Sequence, residues 1–211
     1  MNLLPQDVAD YLRSLHDRFD DPVLLEMEAI AEERSFPIVG RMVGVALEML
    51  ARSVQAKRVF ELGSGFGFSA WWFARAVGAV GEVTLTDGDP ANTEMSQDLL
   101  RRAGVAGRCR FLTGDAVTSL KGTEGEFDVV YCDIDKEGYP EAFAAAAERV
   151  RVGGLYLCDN VLWSGKVADP ANTESSTEAI RAHNQAVFSD PRFLTTIIPI
   201  RDGVISALKI S

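Results

Sequence analysis

The chain has 211 residues, 47% hydrophobic and 25% charged, with a formal net charge of −10. That length suits one domain with a full core, and the acidic balance disfavours a nucleic-acid backbone, which is held by clustered Lys and Arg. No apolar run approaches membrane-spanning length. The start Met1-Asn2-Leu3-Leu4-Pro5 lacks the basic-then-apolar pattern of a signal peptide, so a cytoplasmic protein with no membrane partner is expected.

The first third is helical in pattern. A helix is expected over Pro5 to Phe19, with Val8, Tyr11, Leu12 and Leu15 at helical spacing; a second runs from the Asp21-Pro22 cap to about Arg34; a third runs from Val39 to Ser53. Strand and helix then alternate. Strands are predicted at Arg58–Leu62, Glu82–Asp87, Arg108–Thr113, Phe127–Asp133 and Gly154–Cys158. Helices between and after them are predicted at Ser69–Val77, Pro90–Ala103, Ala116–Leu120, Tyr139–Val150 and Thr177–Phe188. Two last strands, near Leu194–Pro199 and Val204–Ile210, flank the turn Arg201-Asp202-Gly203. This order predicts an α/β fold: a doubly wound, Rossmann-like seven-stranded sheet, mostly parallel with one antiparallel strand, in a single domain over 1–211 whose first 55 residues are a helical extension. Cys109, Cys132 and Cys158 fall in or at the ends of strands and read as reduced, buried thiols.

Ligands of open α/β sheets sit outside the carboxyl ends of the strands. The apolar runs ending at Cys132 and Cys158 would there deliver Asp133, Asp159 and Asn160 to one point. Three hard oxygen donors suit Mg²⁺ or Ca²⁺ and leave positions open for water or substrate. Lys136 stands beside them. Asp135 reads as a cap or supporting residue, His183 as a surface or supporting histidine without catalytic work, and His16 as solvated.

The turn after the first strand, Glu61-Leu62-Gly63-Ser64-Gly65-Phe66-Gly67, opens a helix. Glycines there allow a tight turn and close backbone approach to a ligand. Asp87 ends the second strand, where a carboxylate can accept from both ribose hydroxyls. These features mean a nucleoside-containing cofactor and fit NAD as well as S-adenosylmethionine. The dinucleotide pattern needs a third glycine where Phe68 stands. Glu61 would oppose a pyrophosphate and suit the cationic methionine end of S-adenosylmethionine.

With both halves in view, the chain resembles the cation-dependent small-molecule O-methyltransferases in their bacterial-type form, the group of catechol O-methyltransferase and caffeoyl-CoA O-methyltransferase. The resemblance covers roughly residues 36–210 and rests on the runs 61–69, 85–89, 114–116, 133–139, 153–154, 159–165, 190–192 and 202–203. It implies that Asp133, Asp159 and Asn160 hold a divalent cation, most simply Mg²⁺, with Ca²⁺ or Mn²⁺ as alternatives. Lys136, with Asp133, falls at the catalytic position, as base or as electrostatic support. Asp87 with Gly88 falls at the ribose position, Asp115-Ala116 at the adenine-side turn, and Trp163 and Asp202 at the acceptor wall. Gly63, Gly65, Gly67, Ser69, Asp133 and Tyr139 complete the cofactor-binding candidates. Ile134 replaces a common Ala, and Ser64-Gly65-Phe66 replaces a hydroxyl-bearing Thr-x-Thr or Thr-x-Tyr.

The implied activity is S-adenosylmethionine-dependent, metal-assisted O-methylation of a small ortho-dihydroxy phenolic acceptor, in a homodimer. The competing readings are the same chemistry on hydroxyuridine in tRNA, a nicotinamide-dependent oxidoreductase, and a non-catalytic nucleoside-binding scaffold.

Overall fold

The computed structural model describes residues 5–16 and 19–211. Three helices come first: α1 (Gln6–Ser14), α2 (Pro22–Arg34) and α3 (Gly40–Ser53). The predicted start of α2 is in place. Asp21 accepts from Val23 N at 2.9 Å, satisfying a first-turn donor, while Pro22 presets the helical φ. The first helix, expected to reach Phe19, ends at Ser14, with Leu15 and His16 in a turn; residues 17 and 18 lie outside the described residues. His16 is half-buried rather than solvated, because its Nδ1 meets the Leu12 carbonyl at 2.6 Å.

The alternating part follows as β1 (Arg58–Leu62), α4 (Phe68–Val77), β2 (Glu82–Asp87), α5 (Pro90–Arg102), β3 (Cys109–Thr113), α6 (Ala116–Gly122), β4 (Phe127–Cys132), α7 (Tyr139–Ala147), β5 (Val150–Cys158), α8 (Ser175–Ser189), β6 (Phe193–Ile198) and β7 (Val204–Lys209). The strands form one sheet in the order β3-β2-β1-β4-β5-β7-β6. All neighbours are parallel except those of β7, which runs antiparallel to β5 and β6. This is the expected doubly wound sheet. Among the described residues no helix is long and apolar enough to cross a membrane.

Side chains of each strand alternate between two cores. Val59, Val83, Val129 and Leu155 face the layer of α3, α4 and α5; Phe60, Val130, Tyr156 and Ile205 face that of α6, α7 and α8. Helix α4 is buried along its length except at Arg75 because it lies between the sheet and α3. A glycine makes that fit possible. A Cβ on Gly44 of α3 would come within 2.2 Å of the Trp72 indole nitrogen.

Most boundaries of the alternating part move by one or two residues, and the α7–β5 junction moves furthest. The alanine-rich α7 stops at Ala147, and β5 begins at Val150, four residues before the predicted Gly154. Val150 is fully buried, Phe127 N donates to the Arg149 carbonyl at 2.7 Å, and Lys209 Nζ donates to the carbonyls of Ala147 and Val150 at 2.8 and 2.9 Å. The strand edge and a lysine thus take carbonyls that a longer helix would have used.

Register then sets the functional end of the sheet. Leu62 lies level with Thr86 on one side and Cys132 on the other, and Cys132 lies level with Cys158. The residues just beyond these strands therefore form a row: Gly114 and Asp115, Asp87, Gly63, Asp133, Asp159. Asp133 N continues the ladder to Leu62 O at 2.9 Å and Asp159 N to Cys132 O at 3.2 Å.

Candidate active site

The strand order reverses between β1 and β4, and a crevice opens outside the strands at such a point. Here it is a cleft of about 850 Å³, large enough for a nucleoside cofactor and a small second ligand.

Its first half is backbone. Gly63 has φ +79° and lies so close to β4 that a Cβ would sit 2.4 Å from the Asp133 carbonyl oxygen. Gly65 N donates to Asp87 Oδ2 at 2.9 Å, while Asp87 Oδ1 accepts from Asp89 N and Asn92 Nδ2 at 2.8 and 3.1 Å. An ionised carboxylate offers about four acceptor positions, so Asp87 keeps capacity for a hydroxyl. Gly88, Asp115, Ala116 and Ser69 also line this half. Asp115 caps α6 through Thr118 N at 2.7 Å.

The second half is made of side chains. Lys136 Nζ donates to Tyr139 Oη at 2.7 Å, Ile134 O at 3.1 Å, Asn160 Oδ1 at 3.1 Å and Asp133 Oδ1 at 3.3 Å. Tyr139 Oη in turn donates to Asp159 O at 2.9 Å. Asn160 takes the left-handed φ of +58° that asparagine tolerates, at the bend out of β5. Asp159 is buried and its Oδ1 has no hydrogen-bond partner among the described residues. Burial, reinforced by the Asp133 carboxylate, pushes its pKa up to about 7. Burial raises Asp133 as well, with Lys136 opposing. Two crowded acids, one with an orphaned oxygen, are short of positive charge.

The O-methyltransferase family model matches residues 19–210. The chain belongs to the O-methyltransferase family. The expectation of an S-adenosylmethionine-dependent enzyme acting on oxygen is met at the level of that family. This O-methyltransferase is 32% identical to a catechol O-methyltransferase of Niastella koreensis, over 93% of this chain and 91% of that protein. It is 31% identical to caffeoyl-CoA O-methyltransferase 1 of Eucalyptus globulus, over 80% and 73% respectively. The structure of the O-methyltransferase TomG from Streptomyces achromogenes, solved in complex with SAM, superposes with a TM-score of 0.89 at 26% identity, covering 99% of this chain and 100% of that one.

Four of the residues expected at the site of this O-methyltransferase lie off the cleft wall. Glu61 is fully buried behind it, accepting from Ser69 Oγ, with Oε2 unpartnered among the described residues; burial pushes its carboxyl up to about 7, against hydrogen bonds from Ser69 and Ser64. Both serines stand between it and the cleft. Gly67 starts α4 with φ +91°, packed against Ser96 and Leu100. Tyr139 is wholly buried beneath Lys136 and Asp159 rather than facing the cofactor half. Asp202 holds the loop after β5: its carboxylate accepts from Ser164 N and its carbonyl from Leu162 N. Trp163 does line the cleft, and Asp135 is exposed there without a side-chain cap bond.

Of the two positions expected for His183, surface or supporting, the surface one is excluded. It is fully buried under α7, with Nε2 at 2.9 Å from Tyr156 Oη and Nδ1 at 3.1 Å from Asn184 Oδ1. Burial lowers its pKa to about 4, so it is neutral and structural. The sequence reading missed the segment Phe36–Val39 and Arg201, which close the cleft from above. Phe36 stacks on Phe66 at 5.0 Å between centroids. This packing occupies Phe66, where the resemblance led to the expectation of a hydroxyl. The Phe36-Pro37 dipeptide marks a loop, but nothing local says that it folds over the glycine turn.

Proposed function

We propose that this chain is a divalent-cation-assisted, S-adenosylmethionine-dependent O-methyltransferase acting on small ortho-dihydroxy aromatic acceptors. The observation that carries this reading is the convergence of Asp133, Asp159 and Asn160 on one end of a cleft whose other end is a bare glycine turn. The donor set fits a hard cation. Asp133 Oδ1 and Asn160 Oδ1 already share one positive group, the Lys136 ammonium, and the orphaned Asp159 oxygen adds a third donor. Catechol O-methyltransferase and caffeoyl-CoA O-methyltransferase relatives support the acceptor class.

Asp133, Asp159 and Asn160 would hold such a cation, which would supply the Lewis acidity that lowers the pKa of a hydroxyl. S-adenosylmethionine supplies an electrophilic methyl on sulfur. The chain does the rest. The Gly63–Gly65 turn and Asp87 seat the nucleoside end, and Phe36 covers it. Trp163 offers a flat apolar wall. Lys136 keeps Tyr139 and the Ile134 carbonyl as partners, and a cation taking over Asp133 and Asn160 would free one of its N–H groups for the acceptor oxygen. All four of its contacts are acceptors, which supports a role in holding developing negative charge rather than in taking a proton.

The test is methyl transfer to catechols, with tRNA as a second substrate, assayed by mass spectrometry with Mg²⁺ and with EDTA. Transfer to a catechol that EDTA abolishes and Mg²⁺ restores is the expected result. Activity that survives chelation overturns the metal role, and transfer confined to tRNA overturns the acceptor class.

A further inference from the structure

Among the described residues lining the cleft, the basic side chains are Lys136 and Arg201, against seven acids: Asp87, Asp89, Asp115, Asp133, Asp135, Glu137 and Asp159. Lys136 is fully engaged at the proposed metal ligands. Arg201 is different. It is exposed, donates one Nη1–H to the Ile38 carbonyl at 2.6 Å, and makes no ion pair among the described residues. A guanidinium carries five N–H donors, so most of its capacity faces open space. Lys166, the other base near Trp163, is paired with Glu174 at 2.7 Å and lies outside the lining.

The position of Arg201 is fixed from below. The turn that carries it is fastened to the loop carrying Asn160 and Trp163: Val161 N donates to Gly203 O at 3.2 Å and Leu162 N to Asp202 O at 2.9 Å. Leu162 presses so closely on Gly203 that a Cβ there would come within 2.5 Å of it. Arg201 itself has φ +50°, a conformation costly for a long side chain and held by these bonds. Its charge also reaches the metal end: burial raises Asp133 and Asp159, and Arg201 is among the charges opposing the rise.

From this arrangement, and resting on the O-methylation proposed above, we infer that Arg201 is a carboxylate-recognising residue and that the acceptor is an ortho-dihydroxy aromatic acid. The hydroxyls meet Asp133, Asp159 and Asn160, the ring lies against Trp163, and the carboxylate takes the free face of the guanidinium. Arg is the side chain suited to a planar carboxylate. In a chain of net charge −10, an anionic acceptor needs one local positive group. The opposing acids Glu137 and Asp135 would favour a cationic tail instead, and that is the alternative the test must separate. Glu137 is partly engaged, its Oε1 accepting from Ser175 Oγ at 2.8 Å.

The experiment compares 3,4-dihydroxybenzoate, its methyl ester and 3,4-dihydroxybenzylamine with the Mg²⁺-loaded full chain, the wild type beside Arg201→Gln and Arg201→Lys. Both kcat/KM and calorimetric affinity in the presence of S-adenosylhomocysteine are measured. The wild type is expected to prefer the acid over the ester by ~10-fold or more, from a charge-assisted hydrogen bond. That ratio should collapse toward one in Arg201→Gln and recover in part in Arg201→Lys. A variant that loses all three acceptors equally, keeping the ratio, assigns Arg201 to pinning Ile38 and overturns the inference. So does a wild type that prefers the amine or does not distinguish acid from ester, a result read without any variant. If none of the three is methylated, the proposed reaction fails first and takes this inference with it.

Discussion

The two ends of the cleft are built from different materials. The nucleoside end is backbone: glycines, a strand-end carboxylate already bonded to main-chain donors, and a phenylalanine clamped over them. The end proposed to hold the metal is ionisable side chains in partial burial, with two acids raised above their ordinary values and a lysine standing among them. A backbone wall is satisfied whether or not a ligand is bound. A wall of crowded carboxylates is destabilising until positive charge arrives. The backbone wall of the first end therefore costs folding little, with buried Glu61 behind it as the exception, and the second end trades stability for function.

The largest effect that would break this contrast is at Asp159. Asp159→Asn removes a charge that burial disfavours, so the metal-free protein should melt at a higher temperature. The same change should lower turnover by more than about 100-fold and weaken Mn²⁺ binding in a titration. A variant that is both less stable and fully active would show that the metal end carries no such cost.

Next comes Gly63→Ala. The new Cβ would overlap the Asp133 carbonyl at a positive φ, costing about 3 kcal/mol of stability in urea unfolding. Because that carbonyl belongs to the metal end, affinity for S-adenosylhomocysteine and for Mn²⁺ should fall together. Loss of the nucleoside alone would separate the two ends.

The smallest effect is a pH dependence at Glu61, the one strained acid of the nucleoside half. Its folded pKa is about 7 against an ordinary 4.5, so the folded state holds the proton more tightly than the unfolded one. The penalty is absent below pH 4.5, grows as pH rises, and is complete above 7. Full ionisation of Glu61 costs about 3 kcal/mol by this linkage. The weaker acceptor that an amide offers Ser69 takes back part of the gain. Glu61→Gln should thus be about 1–2 kcal/mol more stable than wild type at pH 8 and little changed at pH 4.5, in urea titrations of the cofactor-free protein. An equal gain at both values would point to packing instead of ionisation.

These ends also differ in how far they could be read from the sequence. Asp133, Asp159 and Asn160 were placed together because apolar runs of adjacent parallel strands end just before them, and register did the rest. Gly63 and Asp87 followed from the same reasoning. Glu61 was assigned to the right turn but the wrong side of it: strand alternation points its side chain into the α4 layer, where Ser69 meets it. Tyr139 and Asp202 sit in the expected motifs but off the cleft wall, since only packed neighbours show which way a side chain faces. The N-terminal share of the cleft was hidden because Phe36 depends on a contact thirty residues away, with no periodicity to announce it. The α7–β5 boundary failed for a local reason: a run of alanines carries helix propensity past the point where buried Val150 needs a strand partner.

The ladder bonds from Asp133 to Leu62 and from Asp159 to Cys132 have a wider consequence. They make the seats of the two reactants neighbouring threads in one woven sheet, spaced by the roughly 4.8 Å interval between strands. The length of the methyl group's jump is then a property of the fabric. Loops such as 36–39 and 161–168 can be recut to admit a different guest, and the stride between donor and acceptor stays the same.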